Sequence, residues 1–250
     1  MTELVWRFGV AAEDDGGFTI ATRLADRVLC EEVHDWIEAE QLDHQRAWTD
    51  PEGECGYLDL HVAMRRARRR FVGRSGFSAS VHGKFGGEAG KPDARMFRAA
   101  LVLFKDAPRP PVIVVIARDM DSEPAKREGF AQAQAAGDWP FIVVLAGMQP
   151  ESEAWRLPGF VPRDDADEKA LTEARAALGF DPTREPERLT HGRQTDPKDA
   201  KRWSAHLLGD DPDREARCLE APLDRLTGRG EGCGLQAYLD DVREALKQLR

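Results

Sequence analysis

The sequence predicts an α/β protein, a Rossmann-like arrangement with a central, mostly parallel sheet and a helical C-terminal extension. Two observations carry this expectation. "PVIVVIARD" (111–119) and "PFIVVLAG" (140–147) are continuous apolar runs, the pattern of strands buried on both faces rather than one. Segments with helical spacing alternate with them, as in a sheet crossed over by helices. A length of 250 residues is enough to bury a full core, so one large domain with an appendage is expected.

The elements follow in order. "ELVWRFGVAAE" (3–13) predicts a first strand ending at Glu13, and "DDGGF" breaks it. Helical spacing of Ile20, Leu24, Val28, Val33 and Ile37 predicts a helix through about residue 40. "LDLHVAMRRARRRFVG" predicts an arginine-loaded helix, and the glycine- and serine-rich stretch 73–92 a loop. Then come a helix in "DARMFRAALVLFKDA", a strand from Val112, a helix in "PAKREGFAQAQAAG" and a strand from Phe141. Prolines punctuate the chain beyond "PESEAWRLPGF", and "GLQAYLDDVREALKQLR" places Leu235, Tyr238, Leu239, Val242, Leu246 and Leu249 on one face. The predicted division is an α/β domain over 1–160 and a helical extension packed on it over 161–250.

Composition narrows the function. Hydrophobic residues make up 41% and charged residues 32%, a globular balance. There is no apolar run of bilayer length and no signal-peptide layout at the N-terminus, so a cytoplasmic location without a membrane partner is expected. Cys30, Cys55, Cys218 and Cys233 are too scattered for a zinc ribbon or a disulfide framework. A net charge of -9 argues against indiscriminate coating of nucleic acid while leaving room for a local basic groove.

Acids follow three predicted strands at their carboxyl ends: Glu13, then Asp119 and Asp121, then Glu151 and Glu153. In open parallel sheets that edge gathers functional groups. Clustered carboxylates repel unless protons or a cation neutralise them, and hard oxygen donors suit Mg²⁺ or Mn²⁺. Such a metal site polarises a phosphoryl oxygen and activates water. The plainer alternative is that Asp121 or Ser122 caps the following helix, with Glu123 in its first turn.

"VAAEDDGGFTIATRLAD", "VIVVIARDMDSE" and "GMQPESEAW" resemble the TOPRIM domain, whose pattern is a glutamate after strand one, a DxD after a later strand and a further acid after the next. "PESEAW" is similar to a stretch of small TOPRIM-like proteins, related to overcoming-lysogenization-defect nucleases, found beside an ATPase in bacterial defence operons. The resemblance covers about residues 3–160. It implies that Glu13 is the acid or base and a metal contact, that Asp119 and Asp121 are metal ligands, and that Glu153, with Glu151 as substitute, is the third acid. It further implies a late basic residue near the scissile phosphate, Lys198 or Lys201, and a partner ATPase of ABC or AAA type. Asp14 and Asp15 intervene where family members carry glycine, leaving open which of Glu13, Asp14 and Asp15 faces the metal.

The expected activity is therefore Mg²⁺- or Mn²⁺-dependent hydrolysis of DNA or RNA in antiviral defence, by a chain that also has the option of self-association. Arg65, Arg66, Arg69 and Arg70, with Lys84 in the following loop, are the expected phosphate contacts. The alternatives are a non-catalytic TOPRIM-like sensor or binding subunit and, behind it, a phosphatase of haloacid dehalogenase type. "GRGEGCG" (228–234) lacks the strand and residue order of an ATP-binding loop.

Overall fold

The computed structural model describes residues 6–71, 84–192, 195–209 and 211–249. Part of the predicted glycine-rich loop, with Arg74, lies outside them. Strand β1 (Trp6–Ala12) leads into helix α1 (Asp15–Val28), and strands β2 (Arg46–Thr49) and β3 (Leu58–Asp59) precede helix α2 (Leu60–Phe71). A two-strand ribbon, β4 (Lys84–Phe85) with β5 (Glu88–Ala89), then helix α3 (Ala94–Lys105), strand β6 (Ile113–Asp119), helix α4 (Pro124–Ala135) and strand β7 (Ile142–Met148) follow. The remainder is helical: α5 (Asp165–Leu178), α6 (Ala200–Leu208), α7 (Pro212–Leu219), α8 (Leu223–Arg229) and α9 (Leu235–Lys247).

The sheet has the order β2-β1-β6-β7, with β3 pairing the far end of β1. β1 runs parallel to β2, β3 and β6, and its register pairs Phe8 with Ile113 and Ala12 with Ala117. The fold class is thus the expected one. The apolar runs are buried residue after residue: Phe8, Val10, Ala11 and Ala12 in β1, and Ile113 to Ala117 in β6. Each such valine or isoleucine withdrawn from water contributes about 1.5–3 kcal/mol.

Compact packing divides the chain into two units, which do not follow the sequence boundary near residue 160. The first holds 1–117, 123–145 and 241–250; the second holds 118–122 and 146–240. In the first, Ala63, Ala67 and Phe71 of α2, Phe97, Leu101 and Phe104 of α3 and Phe130 of α4 form one core with Ala11, Val114 and Ile116. Gly9 permits this closeness, since a Cβ there would sit 2.8 Å from the Phe104 ring. An ion pair ties α1 to β2: Arg46 donates from Nε to Asp26 Oδ1 at 2.7 Å and from Nη2 to Asp26 Oδ2 at 2.6 Å, and Trp48 Nε1 donates to the same carboxylate at 2.9 Å.

In the second unit Leu157, Phe160, Leu171, Leu178, Phe180, Trp203 and Leu207 form a separate core. Asp164 starts α5 by accepting from Asp167 N at 2.9 Å, and Gly179, with φ 73°, ends it in the left-handed region. Trp155 is fully buried, and its Nε1 donates to Cys233 O at 2.8 Å.

The first predicted helix is shorter than its periodicity promised. α1 ends at Val28, widens into a π turn over Leu29–Val33, and His34 leaves helical geometry. Of its expected inward positions Ile20, Leu24, Val28 and Ile37 are nonetheless buried.

Candidate functional site

Because β1 and β6 are parallel and in register, both reach the same edge of the sheet with their carboxyl ends. The carboxylates found there fall into two sets, one in each unit.

In the second unit, β6 ends at Asp119, and the loop beyond is knitted to the exit of β7: Met120 N donates to Met148 O and Asp121 N to Pro150 O, both at 2.8 Å. Asp121 and Ser122 have φ of 50° and 55°. Left-handed geometry costs an ordinary residue about 1–2 kcal/mol, aspartate tolerating it better than most, and such outliers concentrate at functional loops. The cap position of α4 is Glu123, whose side chain makes no capping bond. Glu123 thus stands at the position where the plainer alternative put Asp121 or Ser122, and not in the first turn of the helix.

After β7, Glu151 sits at the start of the Ser152–Trp155 turn and is only 3% exposed. Its Oε2 lies 3.5 Å from Lys201 Nζ, and its Oε1 is buried with no hydrogen-bond partner among the described residues. Burial, reinforced by the neighbouring Glu153 carboxylate and opposed by Lys201, pushes the Glu151 carboxyl up to about 7. Lys201 in turn is held above its ordinary value: burial works against its charge, and Glu153, Glu151 and, further down the order, Asp119 outweigh it. Ser152 Oγ donates to Glu153 Oε2 at 3.2 Å. Asp199, 1% exposed, caps α6 through Arg202 N at 2.8 Å and adds its charge to the field at Glu151.

These placements sort the expected residues. Asp119, Glu151, Glu153 and Lys201 share one electrostatic neighbourhood. Lys198 is turned elsewhere, its Nζ 6.0 Å from the centre of the Phe180 ring. Lys201 is the lysine beside the acids. Asp199 escaped the sequence reading, although an aspartate directly before a helical run is a recognisable cap signal.

Glu13 belongs to the first unit, where its Oε1 lies 3.6 Å from His61 Nε2. Asp14 caps α1, accepting from Gly17 N at 2.8 Å, and Asp15 is engaged with the Tyr57 hydroxyl. Among the three consecutive acids, Asp14 and Asp15 therefore have local structural employment. His61 opens a broad cleft of about 680 Å³ lined also by Arg65, Arg68 and Arg69 of α2 and by Lys91 and Arg95.

Two of the residues expected to contact phosphate lie outside the cleft lining, engaged with acids. Arg66 is paired with Glu52 and lies 3.6 Å from Asp50, while Arg70 donates to Asp106 Oδ2 at 2.7 Å and to Asp106 O at 2.6 Å. At 3.6 residues per turn the arginine run is split between two faces, one consumed by acids distant in sequence and one lining the cleft. Lys84 is exposed on the β4–β5 ribbon. Arg68 of the same arginine run lines the cleft too, and Lys91 and Arg95 are cleft residues that the sequence reading missed.

For a hard dication the donor chemistry fits: Asp119, Asp121, Glu151 and Glu153 offer oxygen alone, and the unpartnered Glu151 Oε1 is a vacant acceptor. Among the described residues, however, no three His, Cys, Asp or Glu side chains stand grouped as ligands of one ion, and the ammonium of Lys201 is the cation beside Glu151. No family model, curated protein or solved structure matches the chain. No described helix is long and apolar enough to cross a membrane.

Proposed function

We propose that the chain is a metal-dependent hydrolase of nucleic-acid phosphodiester bonds, with its acids at the exits of β6 and β7. The observation that carries this reading is Glu151: a buried carboxyl with one unpartnered oxygen and an affinity for protons poised near neutrality, beside Glu153 and Lys201. A group that gains and loses its proton near pH 7 is suited to general acid–base work. In its ionised form Glu151 takes a proton from the attacking water. Lys201 holds a phosphate oxygen and offsets the charge that develops on it. Arg65, Arg68 and Arg69, none of them ion-paired among the described residues, give the first unit a cleft of its own for nucleic-acid phosphates.

Asp119, Asp121 and Glu153 are the residues that would hold Mg²⁺ or Mn²⁺. Bound there, the ion would supply Lewis-acid polarisation of the phosphoryl group. An ATPase partner and a place in antiviral defence belong to the same reading and rest on the resemblance alone.

The test uses purified chain with supercoiled plasmid, single-stranded DNA and RNA, with Mn²⁺, Mg²⁺ or a chelator. Cleavage that needs metal, is abolished by Asp121→Ala, and falls roughly 100-fold in Glu151→Gln is the expected result. The second reading, a binding subunit without catalysis, is favoured by the lack of three grouped ligands among the described residues. Nucleic-acid binding without cleavage under every metal condition, alone and with the partner ATPase, establishes that reading instead.

A further inference from the structure

Apart from the acids, the second unit contains a recess of about 170 Å³ whose lining includes four arginines, Arg163, Arg214, Arg217 and Arg225, and one carboxylate, Asp167. The arginines come from three segments, the approach to α5, the α7 helix and the α8 helix, and Asp167 from the first turn of α5. Asp167 is buried, pairs with Arg214 and accepts from Arg163 N at 3.1 Å, so it fixes the framework. Arg217 has only a loose partner, Asp211 at 3.7 Å. Arg163 and Arg225 have no ion pair among the described residues.

The recess also has an apolar, tightly built lining. Phe160, Leu208 and Ala221 line it, and a Cβ on Gly159 would meet Cys218 O at 1.8 Å, so the turn and α7 touch backbone to backbone. Burial pushes the Cys218 thiol up to about 11, which leaves it neutral at this wall.

We infer that this recess binds a phosphate monoester, the phosphoryl group held by Arg163, Arg217 and Arg225 and the ester side lying on the apolar wall. Three separately mounted guanidiniums have more donors than the two oxygens of a carboxylate can accept, whereas a tetrahedral phosphoryl dianion offers three oxygens to different directions. The volume decides the size. It is several times the ~30 Å³ share of a water molecule, yet below the ~300 Å³ at which ordinary small-molecule pockets begin, so one phosphoryl group with a small attachment fits and a dinucleotide does not. A neighbouring cavity of about 340 Å³ shares Arg163, Asp167, Arg214 and Arg217 and leaves room for a larger remainder outside.

Calorimetric titration tests this with inorganic phosphate, a nucleoside 5′-monophosphate and a 5′-phosphorylated oligonucleotide, each at constant ionic strength, with the unphosphorylated counterparts as controls. The expected result is binding that requires the monoester and weakens at least tenfold in Arg163→Gln/Arg225→Gln, with unchanged thermal stability. Which probe binds most tightly identifies the source of the phosphoryl group. Equal affinity of native and double-variant protein, or equal affinity for phosphorylated and unphosphorylated probes, overturns the assignment. None of these readings depends on phosphodiester cleavage.

Discussion

The cleft along α2 and the pocket of charge around Glu151 use the same residue types to opposite ends. In the cleft, Arg65, Arg68 and Arg69 project into an open groove without protein partners among the described residues, so their charges are hydrated and contribute little to stability. Around Glu151 the charge is withdrawn from water and answered by a single lysine. Exposed charge is available to a ligand and indifferent to folding; buried charge is tied to folding and sensitive to pH.

The largest effect expected from this contrast is on stability. The buried Glu151 carboxyl keeps its proton up to about pH 7, whereas the ordinary value is 4.5. Folding therefore takes up a proton between those values, and Glu151 weighs progressively on the native state as pH rises from about 4.5 to about 7, by up to about 3 kcal/mol. Glu151→Gln should gain stability over the native chain at pH 8 by up to that amount and lose the advantage near pH 4.5, as denaturant titrations at the two pH values will show. A constant difference across that range would remove the buried-charge side of the comparison.

The next effect is on binding. Replacing Arg65, Arg68 and Arg69 together with glutamine should weaken nucleic-acid binding roughly 100-fold at low salt and flatten its salt dependence by about three phosphate contacts. Thermal stability should stay where it was. If melting shifts by several degrees instead, these arginines are structural and the cleft is not an open one.

Smaller again is the loss from Gly9→Ala. The added methyl presses on Phe104 and should destabilise the first unit by about 1–3 kcal/mol, read by denaturant unfolding, without altering affinity measured on the folded fraction. The smallest effect belongs to Arg66→Gln, on the acid-facing side of the same helix. Its affinity for nucleic acid should change less than twofold, and its stability by under about 1 kcal/mol. A loss like that of the cleft variants would show that α2 presents both faces to the ligand.

How much was legible in the residues follows the same division. Continuous apolar runs marked β1, β6 and β7 because burial on both faces leaves a signature in consecutive positions. β2 and β3, four and two residues long, are too short to carry a period. The acids at the strand ends were visible, and so was Lys201 as one of two lysines. The choice between it and Lys198 was not, because it depends on how α6 meets the Ser152–Trp155 turn. The division of α2 was unreadable for a related reason: helical spacing separates two faces, but Asp50, Glu52 and Asp106, which claim Arg66 and Arg70, are up to 36 positions away.

The indole of Trp155 hydrogen-bonds a carbonyl 78 positions further along the chain. That bond holds the short turn carrying Glu151 and Glu153, so helices remote in sequence help to set where these acids stand. A chain shortened before Cys233 would retain every acid of the cluster and yet lose the anchor that orients it, so the position of these acids depends on closing a loop of 78 positions.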